Sequence, residues 1–201
     1  MIIPPSGPET AQGRCQWTRL DSAGKRERLL EAATEVFGRD GLDAPMSVVA
    51  DGVGAGVASV YRLFPSKREL LAALVVRRMD TVAAAAQEAF ERPGDRWSAL
   101  TEMLTTLVSG QRADYLIGDA RALVADHPEV ISAVTRASEA QERLLAAARA
   151  EGRLRADATP QDLRLLFAAT RAARRVEPEQ WERMLELLID ALDARRGSAD
   201  Q

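Results

Sequence analysis

Cysteine occurs once in the 201 residues, at Cys15, and histidine once, at His127. One cysteine allows no intrachain disulfide, and Cys15 lies in a Gly- and Pro-containing leader where an ordinary free thiol is expected. One histidine removes the paired Glu-x-x-His motifs that a ferritin-like metal bundle needs. A histidine-dependent hydrolase would need a nucleophile and an orienting acid, and only Asp126 stands beside His127, in a helix break that suits a polar loop residue. Aromatic residues make up 4% of the chain. No apolar run approaches the roughly 20 residues of a membrane-spanning helix. The first residues lack a basic segment followed by an apolar stretch, so they do not read as a secretory signal. A cytoplasmic protein with no membrane partner is expected. The alternating β-branched pattern of strands is scarce too.

Alanine is abundant, with leucine, arginine and glutamate, all strong helix formers. Hydrophobic residues are 46% and charged residues 28%, as in a soluble globular protein with a real core. The class is all-α. The net charge of −3 excludes a uniformly basic nucleic-acid coat. Residues 1–78 nevertheless hold eleven Lys and Arg against nine Asp and Glu, a balance of +2. The remainder holds sixteen against twenty-one, a balance of −5, so the positive end is N-terminal.

Residues 1–20, with Pro4, Pro5, Gly7, Pro8 and Gly13, read as a flexible arm. Asp21 or Ser22 can cap a first helix with the apolar face Leu29, Leu30, Ala33, Val36 and Phe37, stopped at Gly41. Ser47 is expected to cap a short second helix through Ala50. Gly52, Gly54 and Gly56 then make a turn. A third helix runs from about Ala58 to Phe64, and Val57, Val60 and Phe64 fall at i, i+3, i+7, a buried stripe. Ser66, with Glu69 three residues on, has the capping-box pattern for a long fourth helix to about Phe90. Pro93–Gly94 breaks the chain. Further helices follow around Trp97–Leu107, Tyr115–Leu123 and Val130–Gly152. Thr159–Pro160–Gln161–Asp162 is a helix start with a capping hydroxyl, a proline at the first position and an acid at the third. Pro178 opens a last helix. The total is about nine helices.

Three short helices, two of them joined by a glycine turn, are the parts of a helix-turn-helix. Its third helix would enter the major groove, where base pairs display distinguishable edges. Tyr61 can offer its hydroxyl to a phosphate. Lys67 adds its charge to the positive N-terminal end of the fourth helix. Arg62 is the best single candidate for a bidentate contact to guanine.

The stretch LLEAATEVFGRDGLDAPMSVVADGVGAGVASVYRLFPSKRELLAAL resembles the N-terminal domain of the TetR-type repressor family. The match covers about residues 25–75, with Ala32–Ala33, Phe37, Gly41, Ala50, Gly54, Tyr61, Phe64, Ser66–Lys67 and Leu70–Leu71 in register. EGRLRADATPQDLRLLFAATR is similar to the segment entering that family's first dimerisation helix. The resemblance implies a DNA-binding head over residues 21–66 and a ligand-binding and dimerisation body over 67–201. It implies a non-enzymatic repressor that needs no cofactor, binds a palindromic operator on double-stranded DNA as a homodimer, and is released by a small-molecule effector. The expected DNA-binding residues are Ser47, Val57, Ala58, Ser59, Tyr61, Arg62 and Lys67. Gly56 stands where the family usually has a capping serine. Ala58, Ser59 and Leu63 replace a usual glycine, threonine and histidine.

In the body, Trp97, Leu100, Leu104, Leu107, Tyr115, Leu116 and Phe167 are candidates to line a pocket between helices, with Arg121 to face an acidic group. The dimer interface is expected on the last two helices, at Leu163, Leu166, Phe167, Trp181, Leu185, Leu188 and Leu192. The glycines at 52, 54 and 56 do not make a dinucleotide loop, because the sixth position of G-x-G-x-x-G is Val57 and no βαβ unit surrounds it. The rival class is an all-helical protein-interaction scaffold without an operator.

Overall fold

The computed structural model describes residues 17–109, 114–177 and 179–195, and for 114–116 and 175 it describes the backbone alone. The helices are α1 (Ser22–Asp40), α2 (Met46–Gly52), α3 (Val57–Leu63), α4 (Lys67–Glu91), α5 (Arg96–Ser109), α6 (Asp114–Leu123), α7 (Pro128–Ala150), α8 (Pro160–Val176) and α9 (Trp181–Leu192). Among the described residues there is no strand, only an isolated bridge between Leu154 and Asp193. The expected arm lies mostly outside the described residues, as do Cys15 and Pro178.

The chain divides into two compact units. The first comprises Met1–Val75 with Arg112–Val130, and the second Val76–Gln111 with Ile131–Gln201.

In the first unit, Asp21 caps α1 by accepting the Gly24 N–H at 2.7 Å. Leu29, Leu30, Ala33, Val36 and Phe37 are buried as their spacing predicts, and Ala32 joins them. At Gly41 the backbone turns left-handed (φ 85°) and its N–H returns to the Phe37 carbonyl. A side chain would be strained there. Helix α1 packs against α2, α3 and α6.

Two boundaries differ from expectation. Helix α2 begins at Met46 with Pro45 at the N-cap, and no side chain caps it. Ser47 is therefore already helical and exposed. Buried Met46 anchors the first turn instead. The last helix begins at Trp181 after Gln180, later than Pro178 suggested.

The core of the second unit joins Val82, Ala86 and Ala89 of α4, the buried face of α5, and Ala137, Ala140, Leu144, Leu145 and Ala148 of α7. Leu163 and Leu166 of α8 and Leu185 and Leu192 of α9 complete it. Alanines on α4 and α7 contribute small side chains to this core. Arg136–Asp80 (2.6 Å) and Arg143–Gln87 (2.7 Å) bridge the exposed flanks of the same two helices. The α8 capping box forms in full: the Asp162 N–H donates to the Thr159 hydroxyl, and the Thr159 N–H donates to the Asp162 carboxylate at 2.8 Å. After α9 the chain is tied back by the Arg155 N–H to the Leu192 carbonyl (3.0 Å) and the Ala194 N–H to the Arg153 carbonyl (2.9 Å). The Arg153 guanidinium pairs with Asp193 at 3.0 Å and lies 5.3 Å from the centre of the Trp97 ring.

Candidate nucleic-acid interface

The turn between α2 and α3 is closed by short-range backbone bonds. The Gly54 N–H donates to the Asp51 carbonyl and the Ala55 N–H to the Ala50 carbonyl. Gly54 takes φ 67°, the left-handed conformation that lets the chain reverse here. Gly56 is the N-cap of α3. It has no side chain to accept an orphan N–H, and its carbonyl receives the Ser59 N–H at 2.8 Å.

Helix α3 is held by one buried residue, Val60, and by Phe64 just beyond its end, also buried. Val57 does not belong to that stripe, being 37% exposed. Phe64 is buried as the stripe predicts, although α3 stops at Leu63. Phe64 has extended backbone (φ −134°, ψ 94°), so its direction is not set by helical phase.

The outward surface of α3 carries two rows at i, i+4 spacing. One is Val57–Tyr61, with Tyr61 46% exposed. The other is Ala58–Arg62, both exposed. The Arg62 guanidinium donates to the Ser59 hydroxyl at 2.8 Å, holding its fork on the helix surface. Five of the seven predicted DNA contacts thus lie on α3. Ser47 is exposed on α2, and Lys67 is half-buried as the first residue of α4.

Lys67 is not a fully extended charge: its Nζ lies 5.6 Å from the centre of the buried Phe37 ring, a cation–π arrangement. Arg26 on α1 was not marked by any motif. Its guanidinium lies 4.3 Å from the centre of the Phe64 ring and donates to the Leu63 carbonyl at 3.4 Å, bracing the C-terminal end of α3. Nothing local signals this bond, which spans 37 positions.

The first turn of α4 is fastened to the segment after α6. The Ser66 hydroxyl accepts the Glu69 N–H at 3.2 Å, half of the expected capping box. The Glu69 carboxylate lies 3.3 Å from His127 Nε2. Arg68 donates to the Leu123 carbonyl at 2.8 Å and pairs with Asp126. That hydrogen bond from Arg68 holds the Asp126 carboxyl below the ordinary carboxylate range. His127 is therefore more than a solvated loop residue. Its Nδ1 is buried without a hydrogen-bond partner among the described residues. No cluster of three His, Cys, Asp or Glu suited to a metal ion occurs among the described residues.

The predicted pocket residues are not one set. Trp97, Leu100, Leu104 and Leu107 are buried in the core of the second unit, with Phe167 packed against it. Arg121 is half-buried on α6 in the first unit. Tyr115 and Leu116 fall on the same helix, with side chains outside the described residues. A cleft of about 320 Å³ opens elsewhere in the second unit, lined by Arg155, Asp162, Leu165, Leu166, Leu188 and Leu192 among others. None of the predicted pocket residues lines it.

The predicted dimer residues divide likewise. Leu163, Leu166, Leu185 and Leu192 are buried within the single chain and leave little or no surface for a partner. Phe167, Trp181 and Leu188 are half-buried. The large apolar groups that stay open on α8 and α9 are others: Leu165 (58% exposed), Val176 (78%), Leu187 (48%) and Met184. The apolar arc of each helix is wider than the face its own core covers.

Comparison with known proteins decides the family. The profile described as "Bacterial regulatory proteins, tetR family" matches residues 29–74. That described as "Transcriptional regulator SbtR-like, C-terminal domain" matches residues 95–194. The TetR transcription regulatory protein of Mycobacterium vanbaalenii is 30% identical over 88% of this chain and 99% of its own, with a TM-score of 0.58. The chain belongs to the TetR family of transcriptional regulators.

Further solved structures are similar. SCO0520 of Streptomyces coelicolor is 26% identical over 84% of this chain and 98% of its own, with a TM-score of 0.61. A protein solved in work on the control of antibiotic production by bacterial hormones is 27% identical over 84% and 97%, with a TM-score of 0.62. No curated protein matches the chain. TetR-family regulators are DNA-binding proteins rather than enzymes. Among the described residues no helix is long and apolar enough to cross a membrane.

Proposed function

We propose that this TetR-family regulator is a cytoplasmic, ligand-responsive repressor that binds a palindromic operator as a homodimer and leaves it when a small molecule binds the body. The observation that carries this reading is the outward surface of α3, where Val57, Ala58, Tyr61 and Arg62 are exposed while Val60 and Phe64 hold the helix from behind. Arg62 is suited to a base edge, and Tyr61 and Lys67 to phosphates on either side.

One seven-residue helix makes few base contacts. Two heads about 34–36 Å apart would meet successive major-groove faces and supply both affinity and palindromy. The open apolar groups on α8 and α9, Leu165, Val176, Met184 and Leu187, support a symmetric four-helix contact. Leu163, Leu166, Leu185 and Leu192 serve behind it as packing. The similar protein from the hormone work supports a small-molecule effector. Such a ligand acts only if it favours the form that does not bind DNA. Helix α4 begins beside α3 in the chain and ends in the second unit, so it is the natural connecting rod.

The test is selection of duplexes from a random pool at low salt, followed by sedimentation of the free protein and the complex. A palindromic consensus bound by two chains is expected. The absence of binding to any duplex at low salt would favour the scaffold reading.

A further inference from the structure

We infer that Val57 reads a thymine methyl group in each operator half-site. The inference rests on the DNA-binding reading above and adds a base identity to it.

Val57 is the first residue of α3 and is 37% exposed, although a β-branched apolar side chain gains nothing from water. Helix propensity does not explain it, since valine is a poorer helix former than alanine. Packing does not explain it either, because Val60 and Phe64 are the groups that bury α3. The approach to Val57 is also open. Its neighbour Gly56 is exposed, and a Cβ placed there would meet nothing within 4 Å.

The major-groove edges of the base pairs display hydrogen-bond donors and acceptors and one apolar group, the C5-methyl of thymine. The two methyls of Val57 are its chemical complement. They are held stiffly, because β-branching leaves one dominant rotamer in a helix. Tyr61, one turn further along the same row, offers a hydroxyl for the adjoining backbone. That contact would fix the register in which Val57 meets a base. Ala58 is exposed too but offers one methyl on the other row.

The experiment uses the full chain and the best duplex it selects from a random pool. Each thymine of a half-site is replaced in turn by deoxyuridine, which removes only the C5-methyl. Binding is measured for the wild type, Val57→Ala and Val57→Ser, with circular dichroism as the control for folding. One thymine per half-site should weaken wild-type binding by roughly fourfold when replaced, the worth of one buried methyl. That sensitivity should shrink in Val57→Ala and vanish in Val57→Ser. Wild-type binding indifferent to every replacement would overturn the inference and leave the DNA-binding reading standing. So would variants that keep the full sensitivity, which would place the methyl against another residue. Failure to select any duplex would overturn both.

Discussion

Lys67→Ala separates two jobs that one ammonium group can do. In the folded chain its Nζ lies 5.6 Å from the centre of the Phe37 ring, and Phe37 is buried. A half-exposed cation–π contact contributes about 0.5–1 kcal/mol, so the variant should lose no more than that in denaturant unfolding. The second job is to neutralise a phosphate at the start of α4, where the helix dipole adds to the charge. Each phosphate contact contributes about 0.9 to the slope of log affinity against log salt. Between 50 and 200 mM salt the ratio of wild-type to variant affinity should therefore shrink about 3.5-fold for one head and about 12-fold for two. Fluorescence anisotropy on a selected duplex across that range reads the slope. Lys67→Arg should retain it. A slope unchanged by Lys67→Ala, even with weaker binding, would refute the phosphate role and leave Lys67 as a brace on Phe37.

Arg62→Ala should relax base preference at one position per half-site in a repeated selection, whereas a uniform loss over all sequences would assign Arg62 to the backbone. Leu165→Glu with Leu187→Glu should give a monomer in sedimentation at micromolar concentration with the fold intact; a dimer that survives both charges would place the interface elsewhere. Leu163→Ala should instead cost about 2–5 kcal/mol of stability, because it empties a buried site. The Thr159 hydroxyl and N–H hold the Asp162 carboxyl below its ordinary value. A depressed folded pKa means that this stability is present above about pH 4, the unfolded value, and is lost as pH falls through the lower folded value. Asp162→Asn should therefore flatten the acid limb of the stability curve, and an unaltered limb would refute the cap's electrostatic part.

The caps and stops show what local chemistry specifies. Asp21 before α1, Gly41 after it and the Thr159–Asp162 box all act within four residues, and all formed where their residue types predicted. The exceptions are local conflicts. At α2, buried Met46 and Pro45 start the helix before Ser47 can cap it. At α3, Val57 in the first turn stays open while Val60 and Phe64 are buried. The head was legible as a motif because its turn glycines, Tyr61, Phe64 and Ser66–Lys67 sit close together in the chain.

The braces of the candidate site were not legible in the same way. Arg26 reaches Phe64 and the Leu63 carbonyl, Arg68 reaches Leu123 and Asp126, and Glu69 meets His127. A charged side chain carries no local mark of the partner it meets across 37 to 58 positions. The same limit governed α8 and α9. Periodicity located their apolar residues, but a wide apolar arc does not say which part of it meets the helix's own core. Chain-local forces, capping, turn conformation and helix propensity, act between neighbours and are written in residue order. The choice of Leu163 for the interior and Leu165 for the surface, like the exposure of Val57, is made by which distant side chains arrive to exclude water, and that exists only once the chain has folded.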